Sequence, residues 1–273
     1  MTWEDAVRCL IGDPSQQDLV EACYFDLPLK RAAERYAQSG EWRAINHLIG
    51  PANGLAVDVG AGNGIVSYAL ARNGWGTVAI EPDPSELVGA GAIKRLARET
   101  QVEIDVRPGY GEQLPVGNGV ASLVIARQVL HHARDLDNFC QEIARVLRPG
   151  GRLIAARDHV ISGPRQLQPF LDSHPLHSQY GGENAFTLKA YRAALMGAGL
   201  RIEREIGSLQ SVINYAPYTI DTLREEIARR MGPLRRLSAA ALRPLPVMRS
   251  ALWILSTLDR RPGRLVSFVC RKE

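Results

Sequence analysis

From Leu55 onward, short apolar runs alternate with stretches of helical periodicity. The runs over 55–59, 76–80, 102–107, 120–126, 152–157 and 200–207 have the length of buried strands, and helical spacing governs 64–73, about 85–99, 135–147 and 186–198. The last run, Arg264 to Cys270, has the pattern of a closing strand. Regular strand–helix alternation predicts a mostly parallel sheet covered on both faces. Ahead of it, residues 14–49 place Leu19, Ala22 and Cys23, then Ala32, Ala33, Tyr36 and Ala37, at helical spacing.

Two segments break the alternation. Residues 158–185 are polar and rich in Gly, Pro and His, too long for an ordinary connection, and are expected to serve function. The second segment precedes the last strand. There Ile220, Leu223, Ile227 and Met231 share a helix face, with Arg224, Arg229 and Arg230 off it, and Leu252, Leu255 and Leu258 form a second stripe beside Trp253. Charge concentrates in the same place. The formal net charge is only +4 over 273 residues, yet Leu223 to Arg264 carries ten arginines against Glu225, Glu226 and Asp259. Two readings stay open: a two-helix cap with a solvated arginine face, or a basic amphipathic element that lies on anionic membrane or receives an anionic acceptor.

The bulk numbers mainly exclude. Hydrophobic residues are 45% and charged residues 23%, as in ordinary globular proteins. No run approaches the ~18 apolar residues of a spanning helix, and the first residues lack the pattern of a secretory signal. Cys9, Cys23, Cys140 and Cys270 are scattered without Cys-x-x-Cys spacing. A cytoplasmic location is therefore expected, with any membrane contact peripheral and confined to 223–264, and neither disulfides nor a cysteine zinc site. Aromatic residues are 6%, few for base stacking, so no nucleic-acid partner is expected.

The chemistry enters at Val57-Asp58-Val59-Gly60-Ala61-Gly62-Asn63-Gly64, where a buried strand runs into a three-glycine turn. Such a turn lets backbone approach a nucleotide-like group, and the following helix supplies free N–H groups. The spacing is G-x-G-x-G, whereas the dinucleotide fingerprint is G-x-G-x-x-G. One strand later comes Glu81, whose carboxylate can accept from two vicinal ribose hydroxyls.

At this point the chain resembles the class I S-adenosylmethionine-dependent methyltransferases, in particular the broad type associated with quinone-biosynthesis C-methyltransferases. The resemblance covers about residues 52–160. It rests on the glycine turn, Glu81, the segment Gly109-Tyr110-Gly111-Glu112-Gln113-Leu114-Pro115, the strand-four segment Leu123 to His132 and the turn Arg145 to Gly151, in that order. It implies a Rossmann-like, doubly wound seven-stranded sheet whose last strand is antiparallel. Residues 1–50 would form an N-terminal helical lid and 51–273 the methyltransferase domain, with an acceptor-side loop at 159–185 and a basic helical insertion at 216–263. The implied cofactor is S-adenosyl-L-methionine, leaving as S-adenosyl-L-homocysteine. Its expected contacts are Asp58, Gly60, Gly62, Gly64, Glu81, Pro82, Gly111, Glu112, Arg127 and Gln128. Two departures stand out: Tyr110 replaces the acid that contacts the adenine amine, so that either Glu112 substitutes or Tyr110 packs on the base, and Ser122 replaces an Asp early in strand four.

The implied reaction is in-line displacement at an activated methyl, which needs a nucleophile about 3–3.5 Å away and a base only where the acceptor must lose a proton. Candidate bases lie beyond the carboxyl ends of the strands: His159 first, with Asp158 and His177. His174, Tyr180, Asn184, Asn214 and Tyr215 are expected to contact a small-molecule acceptor methylated at oxygen or carbon. His131 and His132 read more simply as helix-entry residues. A metal site from His159, His174 and His177 is set aside because it lacks a fixed ligand spacing, and no metal is expected. The alternative function is a cofactor-binding protein without transferase activity, a sensor or partner subunit. A nicotinamide dehydrogenase is disfavoured by the glycine spacing.

Overall fold

The computed structural model describes residues 2–273. Strands β1 (Leu55–Val59), β2 (Gly76–Ile80), β3 (Asp105–Arg107), β4 (Ala121–Arg127) and β5 (Leu147–Ile161) pair in parallel, and β6 (Phe186–Thr187) joins β5 as a short parallel spur. β7 (Leu200–Ile206) and β8 (Arg264–Lys272) complete the order β3-β2-β1-β4-β5-β8-β7, with β8 antiparallel to both neighbours. The main path is the expected seven-stranded, doubly wound sheet, and β6 is an addition to it.

Both faces of the sheet are buried, so the central strands are mostly apolar and their residues divide by the two-residue period of a strand. Val124 and Ala126 pack with Phe139 and Ile143 of helix Leu136–Val146 and Tyr191 and Leu195 of helix Leu188–Gly197. Leu123 and Ile125 face the other way, onto Tyr36, Ile45, Ala69, Leu70 and Leu96. The N-terminal region therefore divides. Helices Leu29–Ala37 and Gly40–Ile49 belong to the sheet's cover, while helix Trp3–Gly12 reaches the acceptor-side loop, with Leu10 packed on Leu176 and the Trp3 ring 5.0 Å from that of Tyr180.

Several boundaries move for local reasons. The helix expected from 85 starts at Ala90, because the chain after Glu81 first makes a turn in which the Asp83 carbonyl accepts from Ala90 N–H and the Ser85 carbonyl from Ala92 N–H. The strand expected over 102–107 keeps only its last three residues. β5 starts at Leu147, through the Pro149-Gly150-Gly151 turn, with a register shift against β4 between Ala121 and Leu123. Phe186 and Thr187 extend beside β5 before Thr187 caps the next helix.

The insertion holds three helices, Ile220–Arg230, Arg235–Ala241 and Leu245–Leu258, where two were expected. Leu223, Met248 and Leu252 form its small core with Ile220, Ile227 and Tyr215 against it. Ser256 and Asp259 continue that inner face, so the expected stripe of Leu252, Leu255 and Leu258 is wrong beyond Leu252: Leu255 and Leu258 turn outward with Trp253 and Ile254. Among the described residues no helix is long and apolar enough to cross a membrane.

Candidate functional site

Four parallel strands end at one edge of the sheet, and the turns leaving them build two adjoining poles. The first is the glycine turn after β1. Gly60, Gly62 and Gly64 all have positive φ (65°, 55° and 84°), which a side chain would strain. Their surroundings differ. A Cβ on Gly60 would lie 2.3 Å from Val129 Cγ2 and one on Gly64 3.0 Å from Ile93 Cγ1, whereas one on Gly62 would meet nothing within 4 Å. Gly60 and Gly64 are therefore glycines for packing, and Gly62 presents the open side of the turn.

Glu81 follows β2 and reaches the same turn. Its Oε2 accepts from Gly62 N–H at 2.7 Å and its Oε1 from Asp83 N–H at 2.9 Å. Burial raises its pKa to about 7, against the two N–H donors that favour the anion. Each oxygen keeps a lone pair, so a vicinal diol can dock on the carboxylate beside Gly62. Pro82 is exposed at this edge.

Other expected cofactor residues serve the frame. Asp58 is fully buried, burial raises its pKa to about 7, and its Oδ2 accepts from the Ser67 hydroxyl at 2.6 Å, tying β1 to helix Ile65–Arg72. A Cβ on Gly111 would strike Phe139 at 2.1 Å, which makes this glycine a packing requirement. Glu112 accepts from the N–H groups of Arg134 and Asp135 at 2.9 and 3.4 Å, capping the entry to helix Leu136–Val146. Of the two alternatives at the adenine side, Tyr110 is the one left exposed, with Arg134 over its ring.

Arg127 does not face the cleft as a free cation. Its Nε and Nη2 hold Glu41 Oε1 and Oε2 at 2.6 and 3.2 Å, and its Nη1 donates to Gln128 Oε1 at 2.9 Å. Arg157, in a left-handed bulge of β5, approaches the same carboxylate at 3.6 Å and donates to the Ile213 and Ala216 carbonyls. Glu41 thus locks the N-terminal helices to the ends of β4 and β5. No sequence pattern points to it: an acid in a first helical turn is ordinarily solvated.

The second pole gathers imidazoles from three segments. The His131 ring lies 4.1 Å from that of His132 and 4.7 Å from that of His159, and His159 stands 5.5 Å from His174. Asp158 is fully buried beneath this group. Its Oδ1 accepts from His131 N–H at 3.2 Å and lies 3.0 Å from His131 Nδ1. His159 places Nδ1 2.9 Å from the Gly263 carbonyl, and His132 places its own 2.9 Å from the Gly182 carbonyl. Burial drives His131 well below the ordinary histidine range and His159 down to about 4, so both rings are neutral near pH 7. Burial likewise lifts Asp158 to about 8.

Asp158 therefore orients His131 and does not itself face the cleft. His174 and Glu183 close the pole, their Nε2 and Oε2 3.9 Å apart. His177 starts the short helix His177–Tyr180, and its buried Nδ1 has no hydrogen-bond partner. Tyr180 connects the poles: burial first, then the charges of Glu183, Asp83 and Glu81, raise its phenol. Asn184 is half-buried next to Glu183. Asn214 and Tyr215 lie elsewhere. Asn214 donates to the Ile206 and Gly207 carbonyls and accepts from Ser267, so its amide is used up, and Tyr215 packs on the insertion. His131 stands in the short turn Leu130–His132 ahead of helix Leu136–Val146, as a helix-entry residue would, and only the fold brings it to Glu183.

Residues 57–155 match the methyltransferase domain family. The chain is 35% identical over 107 residues to the ubiquinone biosynthesis O-methyltransferase of Methylobacterium sp. (strain 4-46), covering 39% of this chain and 42% of that protein. It is 30% identical to the protein of the same name from Caulobacter sp. (strain K31), over 49% of this chain and 50% of that one. It thus spans half or less of the curated relatives it matches. Among solved structures it is similar to geranyl diphosphate C-methyltransferase from Streptomyces coelicolor A3(2), solved with Mg2+, geranyl-S-thiolodiphosphate and S-adenosyl-L-homocysteine: TM-score 0.60, 16% identity, 97% of this chain and 84% of that one. The [4+2]-cyclase SpnF shares the fold at TM-score 0.54 and 18% identity, over 89% of this chain and 80% of that one, so the fold by itself does not settle the reaction. The glycine turn and Glu81 both lie within residues 57–155, the part of the chain that is a methyltransferase domain.

Proposed function

We propose that this protein transfers the methyl group of S-adenosylmethionine to a hydroxyl oxygen of a small acceptor held beneath residues 159–185. The observation that carries this reading is the adjacency of the two poles: Val129 packs on Gly60, and two residues on His131 stands over Asp158 beside His159. The cofactor fits the first pole, where Gly62 leaves the turn open and Glu81 offers a carboxylate to a ribose diol. When bound it supplies an activated methyl on sulfonium sulfur. The chain's own residues do the rest. Glu81 and the turn orient the donor, the loop with Phe170 and Tyr180 covers the site, and the neutral imidazoles form a polar wall where an acceptor hydroxyl can lose its proton. Oxygen is preferred to carbon because the curated relatives are named as O-methyltransferases.

The test is incubation with labelled S-adenosylmethionine and an extract of small metabolites. A labelled product that survives base hydrolysis and releases its labelled methyl on cleavage with hydriodic acid supports an ether; a product that keeps the label on carbon through that cleavage, or tight binding with no product, overturns the proposal in favour of C-transfer or the binding-only alternative.

For the insertion we propose a peripheral contact with anionic bilayer. Leu237, Trp253 and Leu258 are 70%, 58% and 69% exposed, and Arg235, Arg236, Arg243 and Arg249 have no ion-pair partner among the described residues. Apolar side chains flanked by unpaired arginines suit an anionic headgroup layer.

A further inference from the structure

We propose that His131, His159 and Glu183 bind a divalent transition-metal ion of the zinc class, leaving one coordination position open to the acceptor's hydroxyl. Each residue offers one ligand atom, and the three atoms lie within 4.8 Å of one another. His131 Nε2 is already 3.7 Å from Glu183 Oε2. Two imidazoles and a carboxylate are a donor set of catalytic zinc and related ions.

What lies behind the three residues argues more strongly than their proximity. A ligating imidazole presents one nitrogen to the metal and fixes the other by donating to a carboxylate or carbonyl. Both histidines have this arrangement: His131 Nδ1 sits 3.0 Å from Asp158 Oδ1 and His159 Nδ1 2.9 Å from the Gly263 carbonyl. Each Nδ1 then carries the proton and each Nε2 keeps its lone pair. Glu183 supplies the independent sign. Its side chain is 7% exposed, and its buried Oε2 has no hydrogen-bond partner. An orphaned buried carboxylate oxygen is costly, and a cation would satisfy it. His174 Nε2, 3.9 Å from the same oxygen, stands behind the site.

Zinc ligands at about 2.0–2.1 Å from the ion lie closer together than 4.8 Å, so the cluster must contract on binding. Glu183 is placed to make that movement, since it follows Gly181 and Gly182, both at positive φ (76° and 79°).

The site deepens the O-methylation reading and rests on it. A hydroxyl bound to the ion loses its proton to solvent, and the resulting oxygen anion uses an electron pair to form the new bond to the methyl carbon. The carbon–sulfur bond breaks with its pair on sulfur, giving a neutral thioether and a methyl ether. Asp158, His131's partner, acts here as a positioning residue.

The experiment uses the untagged full chain, stripped with a chelator and titrated with Co2+ and Zn2+. One Co2+ per chain with the intense visible bands of low-coordinate cobalt is expected, displaced stoichiometrically by Zn2+. His131→Ala, His159→Ala and Glu183→Gln should each weaken binding at least about tenfold, while His47→Ala, an exposed histidine on helix Gly40–Ile49, should bind as wild type. Absence of a cobalt spectrum in the wild-type chain, or binding indifferent to all three substitutions, overturns the site. Titrating S-adenosylhomocysteine into the same samples separates the two proposals. Cofactor binding without metal defeats the metal site alone, and metal binding without cofactor defeats the transferase reading alone. Melting temperatures identify any variant that has failed to fold, and the wild-type titration decides the matter without it.

Discussion

Glu81→Gln isolates the ribose-binding role proposed for that carboxylate. The substitution keeps shape and one acceptor oxygen but removes the charge. At pH 8 the wild-type group is mostly ionised, and losing a charge-assisted hydrogen bond costs about 1.5–3 kcal/mol, a ten- to hundredfold loss of affinity. The pH dependence is the sharper test. Burial raises Glu81 to about 7, so protonation competes with a diol that prefers the anion. Two units lower only about 1% is ionised, and apparent affinity should fall about 100-fold between high pH and pH 5. In Glu81→Gln the fall should vanish. Stability shifts in both directions. Carboxyls raised above their unfolded values disfavour the folded state as they ionise, so the contributions of Glu81, Asp58 and Asp158 decline as pH rises from about 4.5 to about 7. His131 and His159, held below the ordinary histidine value of 6.5, contribute stability that is lost as pH falls through that value, so Tm at pH 5 is the control that separates weak binding from unfolding. Calorimetric titration of S-adenosylhomocysteine into both proteins cancels the ligand's own ionisations. A Gln variant that keeps the wild-type slope, or a wild type flat from pH 5 to 8, refutes the reasoning.

Glu41→Gln leaves Arg127 and Arg157 buried without their anion, which should cost about 3–5 kcal/mol and lower Tm by about 5–9 °C in a chain of this length; a shift within error would show the pair contributes nothing. Asp158→Asn should weaken Co2+ binding about 10- to 100-fold and alter the cobalt spectrum while leaving S-adenosylhomocysteine affinity unchanged; parallel loss of both would reduce Asp158 to a structural role. The chain should sediment with phosphatidylglycerol vesicles and not with phosphatidylcholine, less so at high salt, and Leu237→Asp with Trp253→Asp should abolish this at unchanged Tm; salt-independent or lipid-indifferent sedimentation defeats the bilayer contact.

The sheet was legible because its strands are buried on both faces, and apolar runs such as Leu123–Ala126, or Leu55–Val59 broken only by Asp58, have few other interpretations. The glycine turn and Glu81 were legible for a related reason: each is local, one a backbone need and the other a strand end. What the sequence hid depends on distant partners. Glu112 shows no sign in the sequence that its Oε1 accepts from the N–H groups of Arg134 and Asp135, 22 and 23 positions away. Asn214 looks available until Ile206, Gly207 and Ser267 consume its amide. Leu255 and Leu258 continue a plausible stripe with Leu252, yet the inner face runs through Met248 and Ser256. His131 meets Asp158 below and Glu183 opposite, residues 27 and 52 positions away, and no local pattern announces either contact.

The segment from Val129 to His131 makes the two poles one device. Val129 fills the space a side chain on Gly60 would need, and Gly60 N–H and Ala61 N–H are tied to the Ile80 carbonyl, one residue before Glu81. At its other end the His131 N–H and ring both rest on Asp158. Gln128, just before it, is held at φ 55° with its N–H on the Ala156 carbonyl, so β4 enters this turn through a strained residue pinned to β5. Donor turn, strand ends and imidazole pole thus share one short, over-determined stretch of backbone. A shift of the glycine turn by a fraction of an ångström would press on Val129 and be felt at His131, because packed side chains have no slack to absorb it. Positioning of this kind favours in-line transfer, where small misplacements of donor and acceptor are costly. It also explains why Gly60 must stay a glycine: Gly60→Ala would displace Val129 and, through it, the orientation of His131.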